Sequence, residues 1–125
     1  MYTAGELMTK EVITVRENAP VREAIELMLR HGISGVPVVD ANMRLVGMLS
    51  EKDVLSLVYS RESIDIKIVR DYMTKRPVSF EEGESVIEIC NFFAKNIFRK
   101  VPITSSNEVV GIVSLPDLLK YIVHK

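Results

Sequence analysis

Two short stretches of this chain carry residue types that could do chemistry, and they share one pattern. In Gly47-Met48-Leu49-Ser50-Glu51-Lys52-Asp53 and Gly111-Ile112-Val113-Ser114-Leu115-Pro116-Asp117, glycine, serine and aspartate stand at equal spacing. An apolar, β-prone run leads into each serine, so each serine falls where a strand gives way to a helix. A helix start presents unpaired N–H groups and the positive end of the backbone dipole, which suits an oxyanion such as phosphate. The hydroxyls of Ser50 and Ser114 add a donor to the same place. Asp53 and Asp117, one turn into the helix, each offer a carboxylate that can accept from two hydroxyls at once. Ser-x-x-Asp is equally a plain N-terminal capping pattern. The two roles are compatible, because an aspartate can cap the empty state and turn to a ligand later. Gly47 and Gly111 remove a side chain where a ligand or an opposing backbone must come close.

These stretches sit inside a larger duplication. Met8-Thr9-Lys10 recurs as Met73-Thr74-Lys75, and Val36-Pro37-Val38-Val39-Asp40 recurs as Val101-Pro102-Ile103-Thr104-Ser105, in the same order along the chain. A period of about 65 residues is too long for common solenoids, and two copies are too few for an array. The pattern predicts two similar half-domains about a pseudo-twofold axis: residues 1–60, a connector at 61–70, and residues 71–125. Clefts between such halves are natural places for small ligands.

Local signals predict strand, helix, strand, strand, helix in each half. Val12 to Val15 is a β-prone run, and Pro20 opens a helix whose Val21, Ala24, Ile25, Met28 and Leu29 form one apolar stripe ending at Gly32. Val36–Val39 and Leu45–Leu49 are the next strands, joined by the turn Asp40-Ala41-Asn42; Pro37 predicts an edge position or the first residue of a strand. A helix from Ser50 carries Val54, Leu55 and Val58. In the second half Ser85-Val86-Ile87-Glu88 predicts a capping box, and Val86, Ile89, Cys90, Phe93 and Ala94 repeat the stripe. Strands at Val101–Thr104 and Val109–Val113 flank the turn Ser105-Ser106-Asn107, and Leu118, Leu119, Ile122 and Val123 line a closing helix. The fold class is α+β of α/β type, two pseudo-symmetric β-α-β-β-α repeats packed through their sheets. A half of this size buries too little alone, so the two should form one cooperative unit.

Composition excludes several classes. Of 125 residues, 47% are hydrophobic and 26% charged, a soluble globular balance. Lys plus Arg is 16 against 17 Asp plus Glu, a net charge of −1, without the basic excess of a nucleic-acid binder. No apolar run approaches the roughly 20 residues that span a bilayer. Met1 to Glu6 lacks the basic start and apolar stretch of a signal peptide. One cysteine allows no internal disulfide and fits a reducing compartment, so a cytoplasmic protein is expected.

The order Met-Thr, strand, apolar helix, Val-Pro-Val-Val and Leu-Val-Gly-Met-Leu-Ser-x-x-Asp resembles the cystathionine β-synthase (CBS) domain, a pair of which is called a Bateman module. The resemblance covers residues 7–57 and 72–121. It implies a regulatory module without catalytic activity that binds AMP, ADP, ATP or S-adenosylmethionine in clefts between the repeats. No cofactor is required; the adenosyl ligand is a regulatory effector. It implies a disc-like homodimer and, since no effector domain is attached in this sequence, a regulated partner that is a separate chain or is absent. By the same resemblance Asp53 and Asp117 take the ribose, and Ser50 and Ser114 the phosphate. The adenine edge meets backbone of Ile13-Thr14-Val15 and Gly35-Val36-Pro37, or, in the second half, Val78-Ser79-Phe80 and Lys100-Val101-Pro102. Arg99 and Lys100 stand where the first half has Ser34 and Gly35. In relatives with polyphosphate ligands basic residues there reach the phosphates, so the two sites should differ. Pro116 replaces Lys52 and removes one N–H from the second helix start.

Other candidates have structural readings. Cys90 belongs to an apolar stripe, His31 precedes a helix-ending glycine where a cation suits the dipole, and His124 lies in the tail. They lack metal-ligand spacing, so no metal is expected. Methionines such as Met28, Met43 and Met48 are core or pocket filler. No Ser/His/Asp or Cys/His set comes together through the repeat, which argues against an enzyme. Two alternatives to the sensor stay open: a dimeric scaffold with vestigial clefts, and a nucleic-acid-binding member of the family.

Overall fold

A computed structural model describes residues 2–125. Its elements run α1 (Ala4–Leu7), β1 (Val15–Arg16), α2 (Val21–His31), β2 (Gly35–Val39) and β3 (Leu45–Ser50), followed by a 3₁₀ helix, Glu51–Tyr59. Two short 3₁₀ turns, Ile64–Ile66 and Val69–Asp71, lead to β4 (Thr74–Lys75). Then come β5 (Phe80–Glu81), α3 (Val86–Lys95), β6 (Lys100–Ser105), β7 (Glu108–Ser114) and α4 (Leu115–His124). The chain divides into two compact units that cut across the sequence repeats. One is residues 13–77; the other joins residues 1–12 to residues 78–125.

In the unit of residues 13–77 the strand order is β1-β2-β3-β4. β1 runs parallel to β2, with Val15 opposite Val38, while β3 is antiparallel to both β2 and β4. The core is Val15, Ala19, Ala24, Met28, Val36, Val38, Leu49 and Val69. Pro37 sits in an inner strand, yet its missing N–H disturbs nothing: β1 pairs only at Val38 and Val39, so β2 is still an edge on that side at Pro37. Pro102 repeats the solution in β6, where β5 pairs only at Ile103 and Thr104.

The second unit is built alike, with order β5-β6-β7 and a core of Ala4, Val86, Ile89, Phe93, Val101, Ile103, Val113 and Leu118. Ser106 and Asn107 both adopt positive φ, 50° and 71°, which gives the β6–β7 hairpin a turn whose twist matches its strands. Gly32 ends α2 at φ 60°, the left-handed cap expected of it.

Several local expectations are corrected. Leu29 is 78% exposed, since the buried face of α2 is Val21, Ala24 and Met28, and the stripe is narrower than the sequence suggested. The segment after Ser50 winds as 3₁₀ rather than α-helix. None of its residues is buried, and valine, serine and tyrosine are weak helix formers, so neither packing nor propensity drives it into the α form. Ser85 caps α3 by accepting from the N–H of Ile87 at 3.2 Å rather than from Glu88. The connector is tied down throughout: Arg22 pairs with Asp65 at 2.5 Å, Lys67 with Glu62 at 2.7 Å and Arg70 with Glu17 at 3.2 Å.

What the sequence did not foretell is the use of the Met-Thr-Lys segments. Thr9 exchanges two backbone hydrogen bonds with Ile112 of β7, at 2.8 and 3.0 Å, so the first segment joins the second half's sheet. Thr74 pairs with Met48 in β3, so the second segment joins the first half's sheet. In each case a methionine lies over the glycine of the Gly-x-x-Ser pattern. A Cβ added at Gly47 would stand 2.5 Å from Met73 Sδ and 2.9 Å from the Thr74 carbonyl oxygen; one at Gly111 would meet Met8 Sδ, with Met8 Cγ at 2.6 Å. Both glycines therefore serve close packing within the protein. Gly47→Ala and Gly111→Ala should each destabilise the fold by about 1–3 kcal/mol through overpacking. Urea denaturation checks this, and the loss should be larger at Gly47, where a backbone carbonyl must move.

Candidate functional site

Each strand-to-helix junction is held by the expected serine and aspartate. The Ser50 N–H donates to Asp53 Oδ2 at 2.8 Å, and the Ser114 N–H donates to Asp117 Oδ2 at 2.8 Å. Both starts are capping boxes. In the second, the Ser114 hydroxyl also donates to Asp117 Oδ2 at 2.9 Å and accepts from the Asp117 N–H at 3.4 Å. All four side chains are partly buried, at the rim of their units.

The neighbouring strand brings the next candidates alongside. Gly35 is the cross-strand partner of Ser50, and a Cβ there would be 3.1 Å from the Leu49 carbonyl oxygen. In the other unit Lys100 is the partner of Ser114. The register thus puts a glycine beside one helix start and a half-buried lysine beside the other. Burial lowers the pKa of the Lys100 ammonium from its ordinary value. Arg99 is exposed, and its carbonyl accepts the Leu115 N–H at 2.9 Å. The Ser34 carbonyl accepts the Glu51 N–H in the same way, also at 2.9 Å.

These bonds decide how much anion-binding capacity is left. At α4, Leu115 donates to Arg99, Pro116 has no N–H, and Asp117 donates to Ser114. An anion at this start has to displace a capping bond, or rely on side chains. At the 3₁₀ start, Lys52 keeps the N–H that Pro116 lacks.

The expected adenine-pocket residues fall into two groups. Val15, Val36, Pro37, Val101 and Pro102 are buried, so their side chains belong to the cores and they can offer a ligand only backbone groups. Ile13, Thr14, Ser79 and Phe80 are half-buried and Val78 is exposed. Phe80 packs edge-on against Phe92, with ring centroids 5.8 Å apart. Val15 pairs with Val38 rather than Gly35, so the Ile13–Val15 and Gly35–Pro37 stretches run alongside but out of step.

Sequence reasoning missed one neighbour set. Asp117 lines a cleft of about 260 Å³ with Tyr2, Glu6, Lys120, Tyr121 and His124, where the Tyr2 and Tyr121 rings meet edge to face at 5.1 Å. Asp117, Lys120, Tyr121 and His124 lie at helical spacing on one face of α4, a signal present in the sequence; the arrival of Tyr2 and Glu6 depends on where the first Met-Thr-Lys segment docks. Among the described residues no group of three or more His, Cys, Asp and Glu side chains could hold a metal, and no helix is long and apolar enough to cross a membrane.

Two mixed units of one plan, each with a Gly-x-x-Ser-x-x-Asp junction after a Val-Pro strand, match the description CBS domain over residues 4–60 and 69–124. The chain belongs to the CBS domain family. YhcV of Bacillus subtilis, a CBS domain-containing protein, is 31% identical over 118 residues, which are 94% of this chain and 84% of YhcV. Inosine-5′-monophosphate dehydrogenase of Methanocaldococcus jannaschii is 36% identical over 118 residues, 94% of this chain but 23% of the dehydrogenase. The protein MJ1225 of the same archaeon is 30% identical over 92% of this chain, which spans 41% of MJ1225. The structure of CBSX2, from Arabidopsis thaliana, in complex with AMP superimposes with a TM-score of 0.87 at 25% identity, covering 99% of this chain and 98% of that one. The CBS domain pair of MJ0100 in complex with 5′-methylthioadenosine and S-adenosyl-L-methionine gives 0.79 at 25% identity, covering 96% and 98%.

Capping alone makes a prediction for the unliganded CBS pair. Asp117→Ala should cost about 1 kcal/mol, and Asp117→Asn, which keeps an acceptor, a few tenths. Chemical denaturation of the three proteins measures the difference.

Proposed function

We propose that this CBS pair is a non-catalytic regulatory module that binds adenosine-containing ligands, AMP, ADP, ATP or S-adenosylmethionine, and signals their presence to a partner protein. The observation that carries this reading is the junction itself. A serine hydroxyl and an aspartate carboxylate stand together at a helix start, beside Gly35 in one unit and Lys100 in the other. The carboxylate would leave its cap to accept both ribose hydroxyls, while the serine and, in the second unit, Lys100 and Arg99 would meet phosphate. The complexes of CBSX2 with AMP and of MJ0100 with adenosyl ligands support the ligand class.

The difference between the junctions supports unequal sites. Arg99 and Lys100 favour a phosphorylated ligand in the second unit. Ser34 and Gly35 give no such charge in the first, which suits a less anionic adenosyl compound. A partner senses the change only if it binds one ligand state better than the other.

Each unit also leaves an apolar helical face uncovered: Leu55, Val58 and Tyr59 in one, Leu119, Ile122 and Val123 in the other, all more than half exposed. These faces support a homodimer, and the single cysteine a reducing, cytoplasmic setting. One observation favours the alternative of a scaffold with vestigial sites, since the first-turn donors of α4 are already committed.

Calorimetric titration with AMP, ATP and S-adenosylmethionine, with GTP as control, tests the proposal. Saturable binding of an adenosyl ligand but not GTP is expected, with loss of that binding in Asp53→Ala/Asp117→Ala while the circular dichroism spectrum is kept. Unchanged affinity in the double variant would remove the ribose assignment; no heat from any ligand would leave the scaffold. In analytical ultracentrifugation the wild type should sediment as a dimer, and Leu119→Asp/Ile122→Asp as a monomer.

A further inference from the structure

Away from the strand-to-helix junctions, at the carboxyl ends of the parallel pair β1 and β2, lies a second cleft of about 270 Å³. It is lined by Arg16 at the end of β1 and Glu17 and Asn18 after it, by Asp40 and Asn42 after β2, and by Arg70. The length of β2, about 16 Å at 3.3 Å per residue, separates it from Gly35 and Ser50. Carboxyl ends of neighbouring parallel strands are where open sheets gather ligand-binding loops.

The lining is electrically balanced in residue count but not in free hydrogen-bonding groups. Glu17 is taken by Arg70 Nε at 3.2 Å. Asp40 Oδ1 is taken by the N–H groups of Asn42 at 2.8 Å and Arg44 at 3.0 Å, which close the turn. Those bonds, that of Arg44 foremost, hold the Asp40 carboxyl below its ordinary pKa, so it stays ionised and bound to its own loop. Among the described residues, the Arg16 side chain, the terminal nitrogens of Arg70 and the side-chain amides of Asn18 and Asn42 make no hydrogen bond. What faces the cleft is a set of unused donors with two guanidiniums among them, beside Glu17 and Asp40, whose other carboxylate oxygens partly offset that positive charge.

The other unit supplies an internal control. Its corresponding corner has the same backbone frame, for the Arg70 N–H bonds the Glu17 carbonyl at 2.8 Å just as the Gly5 N–H bonds the Glu82 carbonyl at 2.8 Å. There Arg16 is replaced by Glu81, whose carboxylate accepts from Thr104 Oγ1 at 2.7 Å and from the Ser106 N–H at 3.2 Å. Arg70 is replaced by a glycine. That corner is closed by an acceptor, whereas the first is left with donors, so the scaffold itself does not demand the arginines.

We propose that this corner is a binding site for a small phosphomonoester, its phosphate gripped between Arg16 and Arg70 and its organic part held by Asn18 and Asn42. Guanidinium forks match phosphate oxygens two at a time, and a cleft of about 270 Å³ has room for more than the bare anion. The site is independent of adenosyl binding at Ser50 and Asp53.

The test is a titration of inorganic phosphate into the ¹⁵N-labelled chain at constant ionic strength, with chloride as control, following arginine Nε–H and asparagine side-chain signals. Saturable shifts at Arg16, Arg70, Asn18 and Asn42, following one binding curve distinct from any at Arg99, are expected. They should persist in Asp53→Ala/Asp117→Ala and weaken about tenfold or more in Arg16→Gln, as expected for loss of a charge-assisted bond. Arg16 is exposed, so Arg16→Gln should keep the wild-type amide spectrum; Asn42→Ala gives a second variant that leaves both guanidiniums in place and should weaken binding less. Equal shifts with chloride, shifts spread over Arg22 and Arg30, loss of the shifts in the aspartate double variant, or undiminished affinity in Arg16→Gln would each overturn the proposal.

Discussion

The rest of this structure depends on a methionine side chain laid across a sheet glycine. Met73 over Gly47 and Met8 over Gly111 fasten a Met-Thr-Lys segment to the far edge of a sheet, and neither glycine tolerates even a methyl group without displacement. Each glycine lies within its strand, β3 or β7, and the serine that ends the strand and the aspartate of the helix after it follow three and six residues later. A thioether suits the task because it is apolar, flexible and able to fill an irregular gap. The glycine of the Gly-x-x-Ser-x-x-Asp pattern thus belongs to packing, while its serine and aspartate belong to the surface.

That division explains how one junction can be both stable and responsive. The aspartate that would accept ribose hydroxyls is spent, in the unliganded protein, on the N–H of its own serine. A ligand that took this carboxylate would exchange one set of bonds for another, and its net affinity would reflect the difference. The second junction is more fully self-satisfied than the first, with an added hydroxyl bond and a proline in place of a donor. Lys100 stands opposite Ser114 in the register, a charge that Gly35 does not bring to the first junction.

Local signals carried much of this fold in the sequence. α2 and α3, the two hairpins and both junctions follow from apolar periodicity, turn residues and capping patterns, whose causes lie within a few residues. The expectations that fell short share another cause. Leu29, Leu55 and Leu119 look like core residues by spacing, but how wide a buried face becomes depends on what covers it. The Ser85 hydroxyl could accept from either of two N–H groups, and the helix geometry chose Ile87. Above all, two nearly identical Met-Thr-Lys segments can fit either sheet, and nothing in their residues states which. The pairing of Arg16 with Arg70 across one corner was equally hidden, because it exists only once that choice is made.

The exchange of leading segments has an arithmetic consequence for how such chains can grow or shrink. A stretch of sequence running from one Met-Thr-Lys segment to the next is a unit of duplication but not a unit of folding, since its first five residues, 8–12 or 73–77, belong to the other compact unit. Deleting one copy would leave the survivor with a segment whose partner sheet is gone and a sheet whose segment is gone. Adding one copy would create the same pair of vacancies. Within a single chain the bookkeeping closes when copies come in twos, and a lone repeat has to find its complement in another molecule.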